Sequence, residues 1–209
     1  MAENNETYLY IYRMSVDSGF APCVKNGRLS LACCKGGQIR SGKPCHTGLR
    51  YWIGSKRHAD WSTDDVYVAG TYKNRLVYIA KVTGVVTMED YFGKSSNGRT
   101  DDIYSLSGGK LERNDHLRAQ GVHIDDAQIT RDLAGSFVLL SNEYVYLGKD
   151  AVSIDIVNRY NAQRQETKQY SGDIANEIIK ACFSEARLSH DDGIPHRPTT
   201  PVNAKCGGK

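Results

Sequence analysis

Residues 8–16, YLYIYRMSV, are aromatic and β-branched, with Tyr8, Tyr10 and Tyr12 on one face of an extended chain and Leu9, Ile11 and Arg13 on the other. They predict a first strand. Residues 17–22, DSGFAP, are turn chemistry, and a Lys-Asn-Gly turn at 25–27 leads into a second apolar run at 29–34, LSLACC. Short apolar stretches follow at 51–55 and 67–70. Residues 75–86, RLVYIAKVTGVV, form the strongest strand pattern, with Gly84 marking a bulge or bend. The next six residues, TMEDYF, predict one helical turn capped by Thr87, with Glu89 and Asp90 near its positive end. Residues 136–147, SFVLLSNEYVYL, predict a hairpin about Ser141, Asn142 and Glu143 whose two arms complete the core sheet.

The period changes towards the end of the chain. Residues 173–188, DIANEIIKACFSEARL, place Ile174, Ile178 and Cys182 beside Ala175, Ile179, Phe183 and Ala186 on one apolar face. They predict a C-terminal helix lying across the sheet, with Asp173 as its N-cap. Residues 111–133 are charged and poor in strong apolar side chains, and predict an exposed, mobile excursion. Residues 1–7 read as a frayed lead-in, and the proline- and glycine-bearing stretch at 189–209 as a flexible tail. Strands with few helices between them predict an α+β fold with a curved mixed or antiparallel sheet and a C-terminal helix. The expected organisation is one domain over 1–188, with its core at 8–150 and a helical end at 151–188.

Composition narrows the function classes. The 209 residues carry 27 Lys or Arg against 24 Asp or Glu, a net +3, so no global field gathers long DNA. Locally the balance differs: residues 35–58 hold eight Lys, Arg or His and no acid. That excess suits a few phosphates, or else it pairs with Asp60, Asp64 and Asp65 just after it. Gly36-Gly37 allows close backbone approach, and an anion nest could form beside Lys35 and Arg40, but no Gly-Lys-Ser/Thr follows as a P-loop requires. The six cysteines at 23, 33, 34, 45, 182 and 206 include no Cys-x-x-Cys pair, and read as buried small hydrophobes rather than a zinc cage with His46. His123 with Asp125 and Asp126 matches no known metal cage, and no metal site is expected. The polar N-terminus has no signal-peptide core, and no run spans a membrane, so a cytoplasmic protein with reduced thiols is expected.

Four segments carry a resemblance: residues 17–22 with 29–35 and 39–40; 68–71 running into 75–82; 98–104, GRTDDIY; and 137–141 to 146–148. In this order they resemble the second nucleotide modification associated domain family. The resemblance implies association with bacterial or phage systems that modify DNA bases or their nucleotide precursors, and a bacterial or phage-infected cell as the setting. A small pseudo-barrel of the PUA or ASCH type is the alternative fold this suggests. Where the family has a compact Gly-Asp-Trp turn, this chain has a longer piece at 41–65.

Candidate chemistry gathers in two loops. Asp17 is either a capping residue that fixes its loop or a carboxylate facing a ligand. Arg99, Asp101, Asp102 and Tyr104 are either an internally paired hydrated loop or a set that recognises a base or ribose edge and supplies acid and base groups. With the resemblance, Asp17, Asp101 and Asp102 are the catalytic candidates. Ser18, Gly19, Phe20, Lys35, Arg40, Trp52, Lys56, Arg99 and Tyr104 are the nucleotide-binding ones. Lys35 and Arg40 would contact phosphate, and Phe20, Tyr104 or Trp52 would stack. The expected partner is a nucleotide or DNA base, with no membrane; the cofactor is left open. Three readings remain open: an enzyme acting on a nucleotide or exposed base, a non-catalytic reader of a modified base, and a protein that sequesters a signalling nucleotide.

Overall fold

A computed structural model of the chain describes residues 6–41, 43–57, 65–93, 99–114, 126–162 and 166–188. These residues form two compact units, the first from the described residues within 6–17, 65–83 and 141–188, the second from those within 18–57 and 84–140.

The first unit is built on β1 (Thr7–Arg13), β6 (Asp65–Tyr72), β7 (Arg75–Lys81), β12 (Glu143–Tyr146) and β13 (Thr167–Ser171), hydrogen-bonded in the order β12-β7-β6-β1-β13. β1 and β6 run parallel, which is possible because more than fifty residues of chain separate them. The other pairs are antiparallel, so the sheet is mixed. A two-residue turn, Lys73 and Asn74 at φ 48° and 61°, joins β6 to β7. Two helices, α4 (Asp155–Tyr160) and α5 (Gly172–Leu188), accompany this sheet.

The face of β1 bearing Leu9 and Ile11 packs with Ala69 and Ile79 against Ala175, Ile178, Cys182 and Ala186 of α5. The helix expected across the sheet is therefore there, but it begins at Gly172, so Asp173 lies within its first turn and not at the N-cap. Each aliphatic side chain buried in this seam contributes about 1.5–3 kcal/mol. On the opposite face the Tyr12 and Tyr78 rings meet edge-on at 6.1 Å, and the Tyr78 hydroxyl donates to that of Tyr12 at 2.9 Å.

The second unit holds a four-stranded sheet, β2 (Cys23–Lys25), β3 (Arg28–Leu31), β11 (Phe137–Ser141) and β8 (Gly84–Thr87), in that order. Asn26 and Gly27, at φ 53° and 67°, make the β2–β3 turn expected from Lys-Asn-Gly. Two hairpins are added: β4 (Gln38–Arg40) with β5 (Lys43–Cys45), and β9 (Tyr104–Ser107) with β10 (Lys110–Arg113). The helices are α1 (Leu49–Arg57), α2 (Met88–Gly93) and α3 (Asp126–Leu133). Phe20, Ala32, Cys33, Met88, Phe92, Ile103, Tyr104 and Val138 form its core. The cap on α2 is as expected: the Asp90 N–H donates to Thr87 Oγ1 at 3.0 Å, and the Thr87 hydroxyl donates to Asp90 Oδ2 at 2.9 Å.

The α+β class and C-terminal helix hold, and the sheets among the described residues are open, with no closed barrel. Two expected elements divide. Residues 75–86 are not one bent strand: β7 ends at Lys81, and β8 begins at Gly84 in the other unit's sheet. Residues 136–147 are not a hairpin either, because β11 pairs with β8 while β12 pairs with β7. Side chains replace ladder bonds at these breaks. Thr83 Oγ1 accepts the Asn142 N–H at 3.1 Å, and Ser141 Oγ accepts the Glu143 N–H at 3.1 Å, so the two arms need not bond each other. Residues 111–133 are not wholly an exposed excursion. β10 covers their start, and Ile129 and Leu133 of α3 pack on the second unit's core, anchoring that helix. His123 and Asp125 lie outside the described residues.

Candidate functional site

β3 ends at Leu31, and the chain then turns through residues 33–37 instead of continuing as a strand. Cys34 and Lys35 both take left-handed backbone conformations, φ 56° and 49°. Such a conformation costs a residue with a Cβ roughly 1–2 kcal/mol, so the surroundings must impose it.

Arg50 of α1 and Asp132 of α3 do so. Arg50 is fully buried and donates from Nε to the Cys34 carbonyl at 2.7 Å, from Nη1 to the Phe137 carbonyl at 2.6 Å and from Nη2 to the Asp132 carbonyl at 2.5 Å. Asp132 Oδ1 accepts the Cys34 N–H at 2.8 Å, and Oδ2 accepts the Tyr104 hydroxyl at 3.0 Å. The Arg50 N–H donates to the Lys35 carbonyl at 3.2 Å. Gly36 fits only because it has no side chain: a Cβ there would lie 2.2 Å from the Arg131 carbonyl oxygen and 2.8 Å from Arg50 Nη2. Burial pulls the Arg50 guanidinium below its ordinary value while Asp132 opposes the fall, and burial followed by Asp132 pushes the Tyr104 phenol upward. Tyr104 is neutral throughout the physiological range.

This clamp presents Lys35. Its side chain is half-buried, and desolvation lowers its ammonium pKa, with the Cys34 thiol opposing. A lysine of this kind, on a loop fixed from both sides, is a cation suited to contact an anion.

A second clasp holds the β2–β3 hairpin. Arg99 donates to the carbonyls of Lys25 at 3.1 Å and Cys23 at 3.0 Å, and to Ser30 Oγ at 2.6 Å. Its Nε lies 3.3 Å from Asp101 Oδ1, while Asp101 Oδ2 accepts from Ser30 Oγ at 2.5 Å and from the Tyr91 hydroxyl at 2.9 Å. Asp101 is fully buried and multiply bonded, the geometry of a positioning group. Asp102 differs: it is half-buried, its N–H bonds Arg99 and its carbonyl Asn114, and among the described residues its carboxylate has no hydrogen-bond partner. Gly19, at φ 80°, accepts at its carbonyl from Thr100 Oγ1 at 2.8 Å.

In the first unit Asp17 is fully buried, with the Tyr146 hydroxyl 2.9 and 3.1 Å from its two oxygens. Burial pushes the nearby Tyr78 phenol far upward, its bond to Tyr12 pulls it back, and Asp17 adds to the rise. In the same unit Thr71 donates to Asn161 Oδ1 at 2.8 Å, and among the described residues the buried Asn161 Nδ2 has no hydrogen-bond partner.

The remaining candidates differ in their accessibility. Phe20 is 2 % exposed, within the second unit's core. Ser18 is half-buried, whereas Arg40 on β4 and Lys56 on α1 are exposed, and Trp52 is 41 % exposed. Asp65 pairs with Lys81 at 2.7 Å; Asp60 and Asp64 lie outside the described residues. Among the described residues no three His, Cys, Asp or Glu side chains are grouped to hold a metal.

The sequence did not single out Asp132, Ser30, Tyr91, Tyr146 or Asn161 as site residues, and it counted Arg50 only among the eight basic residues of 35–58. A single polar side chain within a strand or helix carries no signal of its partner, and these partners lie up to 129 residues away.

No helix among the described residues is long and apolar enough to cross a membrane. No curated protein and no solved structure matches the chain significantly. The family model for nucleotide modification associated domain 2 matches residues 6–194, which takes in all four segments that carried the resemblance and both clamps, and the chain belongs to that family.

Proposed function

We propose that this protein binds a nucleotide or an exposed base for modification, with Lys35 contacting a phosphate. The observation that carries this reading is the locked loop: two left-handed residues, held by Arg50 and Asp132, fix a desolvated lysine in place. Holding a charge where water solvates it poorly lowers stability, and a bound anion offsets that penalty. Asp102 is the acid–base candidate, because its carboxylate is accessible to a substrate proton, whereas Asp101 and Asp17 act through the groups they position. Family membership supports nucleotides or their bases as the ligand class. The cellular setting that fits is a bacterial or phage DNA-modification system.

The test is mass spectrometry of small molecules released when freshly purified protein is heat-denatured, followed by thermal-shift titration with nucleoside mono- and triphosphates. Release of a nucleotide, or stabilisation by one that Lys35→Met abolishes, supports the reading. If no nucleotide is released and none stabilises the fold, free nucleotides are not the ligand.

A further inference from the structure

The exposed face of α1 and the hairpin before it carry a feature that a mononucleotide pocket does not require. α1 buries Leu49, Arg50, Ile53 and Gly54 and leaves Trp52, Ser55 and Lys56 in solvent. Trp52 and Lys56 are four positions apart, hence neighbours on one helical face. Trp52 is 41 % exposed, so a large part of its ring is open to a ligand. The β4–β5 hairpin exposes Arg40 and Lys43. Its exit is tied to the helix by His46, whose ring stacks on Tyr51 at 4.4 Å and whose Nδ1 lies 2.7 Å from the Ala134 carbonyl. The hairpin and α1 contribute no Asp or Glu between Lys35 and Arg57; α3, which packs on the hairpin, exposes Asp126 and Arg131, one charge of each sign.

We infer that this face is a single-stranded nucleic-acid platform, with Trp52 stacking a base and Arg40, Lys43 and Lys56 contacting backbone phosphates. The proposal rests on the nucleotide reading above and deepens it, since the base to be modified would then arrive within a strand. Charge and chemistry favour this occupant: an aromatic face with three flexible cations suits unstacked bases on a phosphate chain. A groove-reading duplex binder needs a denser basic surface.

The test is fluorescence anisotropy of a fluorescein-labelled oligothymidylate of about 20 nucleotides titrated with the full chain, alongside a duplex of the same length and polyglutamate as competitor. The oligothymidylate should bind tighter than the duplex, with log affinity falling against log salt at a slope of about −2 for three phosphates. Trp52→Ala should weaken it roughly tenfold to a hundredfold, Trp52→Phe should restore most of the loss, and Arg40, Lys43 and Lys56 all changed to Ala should flatten the slope. Mononucleotide stabilisation should survive Trp52→Ala but not Lys35→Met, which separates this proposal from the one it builds on. Duplex binding as tight as single-strand binding, an unchanged affinity in Trp52→Ala, or complete displacement by polyglutamate at equal charge would overturn it. Should Trp52→Ala not fold, the slope of the triple variant and the affinity of Trp52→Phe decide.

Discussion

Arg50 donates to three main-chain carbonyls in three separate segments, which no other cation could reproduce from one position. Arg50→Met leaves those acceptors buried and unbonded and should cost about 3–5 kcal/mol in urea denaturation; Arg50→Lys should recover only part, since an ammonium lacks the planar fork. Lys35 predicts the opposite sign. Its proton is held less tightly in the folded chain than at the ordinary value of 10.5, so the charged form weakens the fold below the lowered pKa, and the penalty fades as pH rises from there towards 10.5. Lys35→Met should therefore be more stable than the parent at neutral pH, and the difference should disappear by strongly alkaline pH, as read from melting temperatures across that range. The thiols divide by the same logic. Burial pushes Cys182 up to about 12, and Cys23 and Cys33 are buried as well, whereas Cys34 and Cys45 are half-exposed. A thiol reagent should modify Cys34 and Cys45 quickly in native protein, and Cys182 only on unfolding.

Among elements, glycine positions separate turn, clamp and strand. Gly36→Ala should be severely destabilising, because its Cβ meets the Arg131 carbonyl at 2.2 Å. Gly84→Ala should be near neutral, its nearest neighbour being Leu140 Cβ at 3.6 Å with no positive φ to accommodate. Paired urea melts check both. β1, the 25–27 turn, the Thr87 cap and the face of α5 were legible because each is a local pattern: alternation, a two-residue turn signal, a cap, a helical period. The fates of residues 75–86 and 136–147 were not, since an apolar run says that it is a strand and not which sheet it joins. Only the distant pairing of β7 with β12 and of β8 with β11 decides that.

In the whole molecule, the family assignment and α+β class could be read from ordered motifs, while the wiring of the site could not. GRTDDIY was open to two readings, an internally paired loop or a ligand-facing set, and charge alone did not reveal that Arg99 and Asp101 within it bond each other and brace a hairpin formed some seventy residues earlier. The basic stretch looked uniform, yet it divides into a buried clamp at Arg50, a desolvated Lys35 and exposed Arg40, Lys43 and Lys56. Charge counts cannot make that division, because it depends on the loop, hairpin or side of α1 that each cation occupies. The central claim is that Lys35 is the anion contact, and isothermal titration of the parent and of Lys35→Met with a nucleoside triphosphate, repeated at rising pH, tests it most directly. The account predicts binding by the parent that declines as pH passes the lowered lysine pKa, and binding by Lys35→Met at least tenfold weaker, about 1.4 kcal/mol, with that decline absent. Equal affinity in the two proteins, with the same pH profile, would contradict it.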